Sequence, residues 1–213
     1  MMGETPTRTS GTPQISLLLA TVFLAYLGQM TLNPIIAPLA REVGLAEWQI
    51  GVTISVAAIM VVVSSQFWGR RSQSWGRKPV LVLALGLAMV AMTGFAAAAA
   101  AGMRGLLTGS VLFVLFVLLR GLGFGSAIAA IPPTAQAYIA DVTPDEVTRT
   151  KGMAGIGAVQ GVAMVGGAVL GGLLAGLGLL APIIVVPVLL TLALVLVAGG
   201  CAASLATSLF PNR

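Results

Sequence analysis

The residues that could carry chemistry are few in this sequence, and they lie apart from one another. Histidine is absent, which removes the commonest catalytic base and metal ligand. The single cysteine, Cys201, lies in an apolar run, so neither a disulfide framework nor a thiolate metal site can form within one chain. No apolar stretch holds a nucleophile beside a base or a cluster of metal ligands. We therefore predict a protein that is not an enzyme and that uses no cofactor and no metal.

Arg120 is the only ionisable residue well inside an apolar stretch. It follows about 11 residues of a predicted helix, which places it roughly 16 Å from the start of that helix. A guanidinium at this depth is costly against lipid, so we expect the side chain to face the protein interior or a wet cavity. The alternative is an arginine that snorkels to the membrane surface, and the depth opposes it.

The elements that must position Arg120 are membrane-spanning helices. Of the 213 residues, 58% are hydrophobic and 8% are charged, whereas a soluble domain carries about 25% charged residues. We predict an all-α membrane protein with a helical bundle over residues 15–206 and tails at 1–14 and 207–213. The first helix is interpreted as a retained span rather than a signal peptide. Six stretches reach the ~20 apolar residues that cross a bilayer: 15–40, 49–68, 80–101, 109–140, 152–176 and 182–206.

Basic residues in the connections predict the orientation. Positively charged short loops stay in the cytoplasm, which predicts cytoplasmic termini in a plasma or inner membrane. The same scatter over short loops argues against a nucleic-acid surface, despite the formal net charge of +5. Eight of the basic residues fall on the predicted inner side and two on the outer side: Arg8, Arg70, Arg71, Arg77, Lys78, Arg149, Lys151 and Arg213 against Arg41 and Arg104.

The connection between the second and third predicted spans is the most specific string. It reads W-G-R-R-S-Q-S-W-G-R-K-P-V over residues 68–80 and resembles the signature loop of the major facilitator superfamily, in the form found in its drug-efflux branch. Gly69 and Gly76 match two glycines that permit a tight turn. Arg77 and Lys78 match a basic pair, which we expect to anchor the turn at headgroup level and to bond the carbonyls that end a neighbouring helix.

Two adjacent positions of this loop depart from the family. Gln73 and Ser74 stand where the family has an aspartate followed by an arginine. The resemblance implies that this acid helps to hold the two transporter halves together on the cytoplasmic side. Gln73 can hydrogen-bond there but supplies no charge, so a weaker lock is expected. The alternative interpretation is a merely basic cytoplasmic loop.

The fourth and fifth predicted spans carry further similarity. In the fourth span, the string R-G-L-G-F-G starts at Arg120 and is followed by prolines at 132 and 133. This arrangement resembles the fourth helix of the superfamily. That resemblance implies that Arg120 assists proton transfer or pairs with an anionic group, while the prolines are expected to kink the helix.

The fifth span is similar to the glycine motif of proton-coupled antiporters at Gly167, Gly171 and Gly172, with alanine where the motif has proline. Ordinary small-residue packing remains the alternative.

The first predicted span is the weakest match. The string F-L-A-Y-L-G over residues 23–28 resembles the first helix of the superfamily, with alanine at the acidic position of tetracycline-type exporters. Tyr26, Gln29 and Asn33 remain as polar groups that could line a substrate or proton pathway, and Gln160 in the fifth span is similar. Tyrosine and glutamine are also tolerated as hydrogen-bonding residues between helices.

The resemblance covers nearly the whole chain and implies the N-terminal six-helix half of the superfamily fold, with 3+3 helices. Because the superfamily moves substrate between two such halves, we expect a second six-helix half, either a separate chain or a second copy. No carboxylate or imidazole lies inside a predicted span, so this half is expected not to translocate protons by itself.

The function expected from the resemblance is efflux of a small amphiphilic compound by alternating access. Uptake of a metabolite by the same fold remains open as an alternative. So does a truncated product that transports nothing.

Overall fold

A computed structural model describes residues 12–143 and 145–209 of the chain, with side chains over 15–143 and 145–199. Over that part of the chain the structure is helical and contains no strand. Its α-helices are α1 (Thr12–Leu32), α2 (Ile36–Glu42), α3 (Glu47–Trp75), α4 (Arg77–Met103), α5 (Gly109–Phe116), α6 (Gly125–Ile128), α7 (Ile131–Val142), α8 (Glu146–Ala175) and α9 (Leu180–Leu209).

Six segments of the described chain are long and apolar enough to cross a membrane, as the sequence predicted. The fourth of them, Gly109–Val142, combines α5, a π-helical segment, α6 and α7. Large apolar side chains face outward along these helices, among them Leu173 and Val165, which are 71% and 69% exposed. An outer surface of this kind is stable only against lipid. The structure is therefore an all-α membrane bundle.

The first predicted span is wrong as one continuous helix over 15–40. Helix α1 ends at Leu32, the backbone turns over residues 33–35, and the separate helix α2 follows. Pro34 explains the break, because proline lacks an N–H and disfavours helical geometry in the preceding residue, Asn33. The turn is closed by hydrogen bonds from the Asn33 and Ile35 N–H groups to the carbonyls of Met30 and Leu32. At the two ends, α1 begins at Thr12 and α9 continues to Leu209.

Helices α3 and α4 form a hairpin joined by a single residue, Gly76. Its φ of 92° lies in the left-handed region that glycine adopts at little cost. The string over residues 68–80 is therefore mostly helical rather than a loop. Gly69 lies inside α3, so the prediction that it forms part of the turn is wrong.

The regular α-helix of the fourth span is interrupted at two places. Residues Val117–Phe124 form a π-helix, with Arg120 at its centre. The helix is then interrupted by a turn at residues 129–130, and α7 begins with the two prolines in its first turn. The interruption lies where the prolines can donate no hydrogen bond to the preceding turn.

The core of the bundle lies where α1 packs against α8 and α9, and where α4 packs against α9 and the π-helical segment. Helices α1 and α8 run parallel: Gly155 lies against Leu19, and Gly166, eleven residues further along, lies against Leu27. Both helices therefore cross the membrane in the same direction, as the first and fifth of six alternating spans must.

Candidate functional site

Arg120 is buried within the fourth span and has 8% of its surface exposed. Its guanidinium carbon lies 4.9 Å from the centre of the Phe124 ring, one helical turn away, in a cation–π contact. Among the described residues no carboxylate pairs with it, and its Nε atom has no hydrogen-bond partner. The arginine thus faces the protein interior, as predicted, and it carries a charge that the described part of the chain does not neutralise.

Glycines around Arg120 let the fourth span lie close to two neighbouring helices. A Cβ atom on Gly121 would meet the side chain of Val56 in α3 at 3.1 Å, and one on Gly125 would meet the backbone of Ala57 at 3.0 Å. On the other side, a Cβ atom on Gly123 would lie 3.1 Å from Ala91 in α4. The π-helical segment is therefore wedged between α3 and α4, and this packing fixes the position of Arg120.

The glycines of α8 divide into two groups. A Cβ atom on Gly167 would lie 2.8 Å from the Leu27 carbonyl oxygen, and one on Gly171 would collide with the Thr31 carbonyl oxygen. These two glycines therefore bring α8 into backbone contact with α1. Gly172 has open space around it, so the expectation that it packs with the other two is wrong within this chain.

The polar residues proposed to line a pathway are spread along α1 and α8. Tyr26, Gln29 and Gln160 are half-buried, while Asn33 is exposed in the turn after α1. The Asn33 side chain donates to the sulfur of Met30 at 3.2 Å. Gln160 lies on α8 between the two glycines that contact Leu19 and Leu27. The helix packing thus places Gln160 and Tyr26 on the paired α1–α8 unit, whereas Asn33 lies at its end and Arg120 belongs to another span.

The α3–α4 hairpin is tied to the end of the fourth span through Arg77. Its Nε donates to the Asp141 carboxylate at 3.0 Å, and its Nη1 donates to the Ser72 hydroxyl at 2.8 Å. Arg77 was expected to bond helix-end carbonyls, and the structure gives it a carboxylate and a hydroxyl instead. The neighbouring Lys78 lies half-buried at the mouth of a small cavity.

The other motif residues of the hairpin lie on its surface. Arg70 and Gln73 are exposed. The Arg71 guanidinium stacks between two rings, 4.7 Å from Trp75 and 5.4 Å from Phe67. Side chains of this kind can anchor a helix end at the membrane surface.

Four features of the site were not predicted from the sequence. One is the π-helix, and the other three are interactions: the Arg77–Asp141 ion pair, the Arg120–Phe124 contact and a hydrogen bond from the Trp68 indole. That indole N–H donates to the Ser126 carbonyl at 2.7 Å and links α3 to the fourth span. A signal existed for the ion pair, since both partners lie next to span ends on the same predicted side. The described residues contain no group of three metal-ligating side chains.

Comparison with known proteins agrees with this architecture. The family model of the Major Facilitator Superfamily matches residues 18–206. The chain is 33% identical over 171 residues to the tetracycline resistance protein, class E, of Escherichia coli, a match that covers 79% of this chain and 38% of that protein. The class G protein of Vibrio anguillarum is 33% identical over 169 residues, covering 78% of this chain and 39% of the relative. The inner membrane transport protein YnfM of Escherichia coli K12 is 34% identical over 84 residues, which are 38% of this chain and 20% of that protein.

The aligned part of the chain therefore spans less than two fifths of either tetracycline resistance protein. The resemblance deduced from the hairpin string is confirmed, and the six apolar helices have the number that one half of the fold requires. The chain thus belongs to the major facilitator superfamily, and its six apolar helices make it a multi-pass membrane protein.

Proposed function

We propose that this chain forms one six-helix half of an efflux transporter that works with a second six-helix half. The observation that carries the proposal is Arg120, a buried cation with no carboxylate partner among the described residues. A charge that the bundle itself leaves uncompensated calls for an anionic group from outside it. That group would come from the substrate or from a carboxylate of the second half.

The exposed faces of α3 and α8 support a second half. These two spans are the least buried, with 17% of their apolar window inside the structure, whereas the other four spans reach 33–44%. Gly157 and Gly161 of α8 have open space around them, as Gly172 does. Small residues on a free helix face let another helix approach closely. The second half, either a separate chain or a second copy, would cover these faces.

An efflux function is supported by the two relatives named as tetracycline resistance proteins. The substrate we propose is a small amphiphilic compound of that general kind. Tyr26, Gln29 and Gln160 would supply hydrogen bonds along its route, with Asn33 at the far end. Gly69, Arg70, Gln73, Gly76, Arg77 and Lys78 would form the cytoplasmic hairpin that moves as the halves rock.

Efflux is tested by measuring tetracycline accumulation in cells that express this chain with a second six-helix half. Accumulation should fall when both are present and stay high with Arg120→Gln, because the amide cannot supply the charge. Arg104→Gln is the matched control, since Arg104 is an exposed arginine just after α4. Unchanged accumulation with the wild-type pair, or equal loss in both variants, contradicts the proposal. Increased accumulation with the wild-type pair would indicate uptake instead.

The proposed inner-membrane orientation has a separate test. Both chain ends and the α3–α4 hairpin would lie in the cytoplasm, although residues 1–11 and 210–213 fall outside the described part. A reporter enzyme that is active only in the cytoplasm should therefore work when fused after Lys78 and fail when fused after Gly105. The reverse pattern contradicts the orientation.

A further inference from the structure

A small cavity lies inside the bundle at the same end as the α3–α4 hairpin. It is lined by the first turns of α1 and α4, the last turns of α7 and the later part of α9. It lies within one half of the fold, away from Arg120. Its lining includes Leu17, Thr21, Lys78, Leu81, Tyr138 and Val197.

The charge of Lys78 is what distinguishes this cavity. Lys78 makes no hydrogen bond or ion pair with the described residues, although its side chain is half-buried. The nearest acid along α7 is Asp141, three residues after Tyr138, and its carboxylate already accepts from Arg77. Within the described part of the chain, the ammonium group at the mouth of the cavity is thus left without a counter-ion.

The remaining walls are apolar. Leu17, Leu81 and Val197 contribute hydrocarbon, and the hydroxyl of Thr21 is occupied by its bond to the Leu17 carbonyl at 2.9 Å. A ligand that fits must therefore combine an anionic group with methylene groups. An amphiphile of this kind would place its charge at Lys78 and its hydrocarbon against the leucines.

Size and position favour a membrane lipid. The volume is about 50 Å³, which exceeds the ~10–15 Å³ needed for one water but falls far below the ~300–1,000 Å³ of drug-sized sites. Only one end of a larger molecule can enter. Lys78 is the second residue of α4, and Tyr138 lies in the last turns of α7. The charged mouth of the cavity therefore lies near the level of lipid headgroups, where basic sites between helices bind anionic lipids.

We propose that this cavity binds an anionic phospholipid, with Lys78 contacting the headgroup phosphate and the leucine walls contacting the first methylene groups of the chains. The lipid would hold α4 of the hairpin together with α1, α7 and α9. The site does not depend on a second half, so it can be tested on this chain alone.

The experiment measures thermal unfolding and lipid retention of the full chain in detergent, with phosphatidylglycerol or phosphatidylcholine added. Phosphatidylglycerol should raise the unfolding temperature, and native mass spectrometry should detect one tightly retained lipid. Lys78→Gln should weaken retention about fivefold, which corresponds to ~1 kcal/mol for one basic residue near a membrane surface. Lys151→Gln is the matched control, because Lys151 is an exposed lysine at the same end of the bundle.

A second variant separates loss of binding from loss of folding. Leu17→Phe fills the cavity and keeps the charge of Lys78, so it should also abolish retention of the lipid. Equal loss in the two lysine variants, equal stabilisation by phosphatidylcholine, or full retention in Leu17→Phe overturns the proposal. The same shift with inorganic phosphate or glycerol phosphate alone also overturns it, because the ligand would then be a soluble phosphate.

Discussion

Arg77 connects two stretches of chain that are 64 residues apart at its bond to Asp141. Its side chain is 20% exposed, whereas that of Asp141 is 56% exposed. The pair is therefore stronger than a surface ion pair but remains partly screened by solvent. Because the same guanidinium also donates to Ser72, it holds the C-terminal turn of α3 and the end of α7 together.

We expect Asp141→Asn to destabilise the protein by about 1 kcal/mol, since a charge-assisted hydrogen bond is weakened while Arg77 stays half-buried. Thermal unfolding in detergent measures the change. The charge swap Arg77→Asp with Asp141→Arg should recover part of the loss. Arg70→Ala is a suitable control, because Arg70 is exposed and makes no ion pair among the described residues. If Arg70→Ala lowers the stability as much as Asp141→Asn does, the Arg77–Asp141 pair does not contribute specifically to stability.

Replacing Arg120 is expected to increase the stability of the protein, whereas replacing Asp141 is expected to lower it. A buried charge without a partner costs free energy, and replacing it by an apolar side chain of similar length often stabilises a protein. Arg120→Met should therefore raise the free energy of unfolding by about 1–3 kcal/mol and at the same time abolish efflux. Unfolding of the purified variant and tetracycline accumulation measure the two effects. A destabilised variant would instead assign Arg120 a structural role through its contact with Phe124.

At the scale of single elements, the two faces of α8 have different surroundings. Gly167 and Gly171 lie against the backbone of α1, and Gly172 faces open space. Gly171→Ala should destabilise the bundle by about 1–3 kcal/mol, because the added methyl would force the two helices apart. Gly172→Ala changes the same residue type one position away and should leave unfolding of this chain unaffected. Similar unfolding of the two variants would contradict the α1–α8 packing.

The N-terminus of α8 is capped by Asp145, whose carboxylate accepts the Thr148 N–H at 2.7 Å. This hydrogen bond lowers the pKa of the Asp145 carboxyl below its ordinary value of 3.8. The cap therefore stabilises α8 at pH values above about 4, and the contribution is lost as the pH falls through the lowered pKa. The protection factor of the Thr148 amide against hydrogen exchange should therefore fall as the pH drops through the lowered pKa. Asp145→Asn keeps a capping oxygen and should remove this dependence on pH.

The number of spans and their approximate bounds followed from hydropathy, because charged connections separate the first five apolar runs and a short glycine-containing turn separates the last two. The break after Leu32 was hidden by apolar residues on both sides of Pro34, although the proline itself was the available signal. The π-helix at Arg120 could not be predicted, because its hydrogen-bonding pattern depends on how the fourth span packs between α3 and α4. The Arg77–Asp141 pair needed the relative positions of distant helix ends, which no local pattern contains.

At the scale of the whole molecule, the carboxylates of the described residues are confined to the ends of the spans. The described acids lie at residues 42, 47, 141, 145 and 146, all at or beyond a helix end. Over the described residues, the centre of the bundle thus offers one permanent cation and no group that could bind and release a proton at neutral pH. The purified chain alone should leave a pH gradient across liposomes intact, as a pH-sensitive dye inside the vesicles would report. Dissipation of the gradient at a rate that scales with the amount of protein would contradict the half-transporter proposal.

The pairing of α1 with α8 and α9 also bears on how the protein is made. Helix α1 finds its main partners in α8 and α9, which are synthesised well after it, since α8 begins 114 residues after Leu32 (146 − 32). At ~5–20 residues per second, α1 waits on the order of ten seconds in the bilayer before α8 is synthesised. Its buried hydroxyls tolerate that delay, because Thr21 and Thr31 donate to carbonyls of their own helix, those of Leu17 and Leu27. With these polar groups hydrogen-bonded within the helix, α1 can remain in the bilayer until α8 and α9 are inserted.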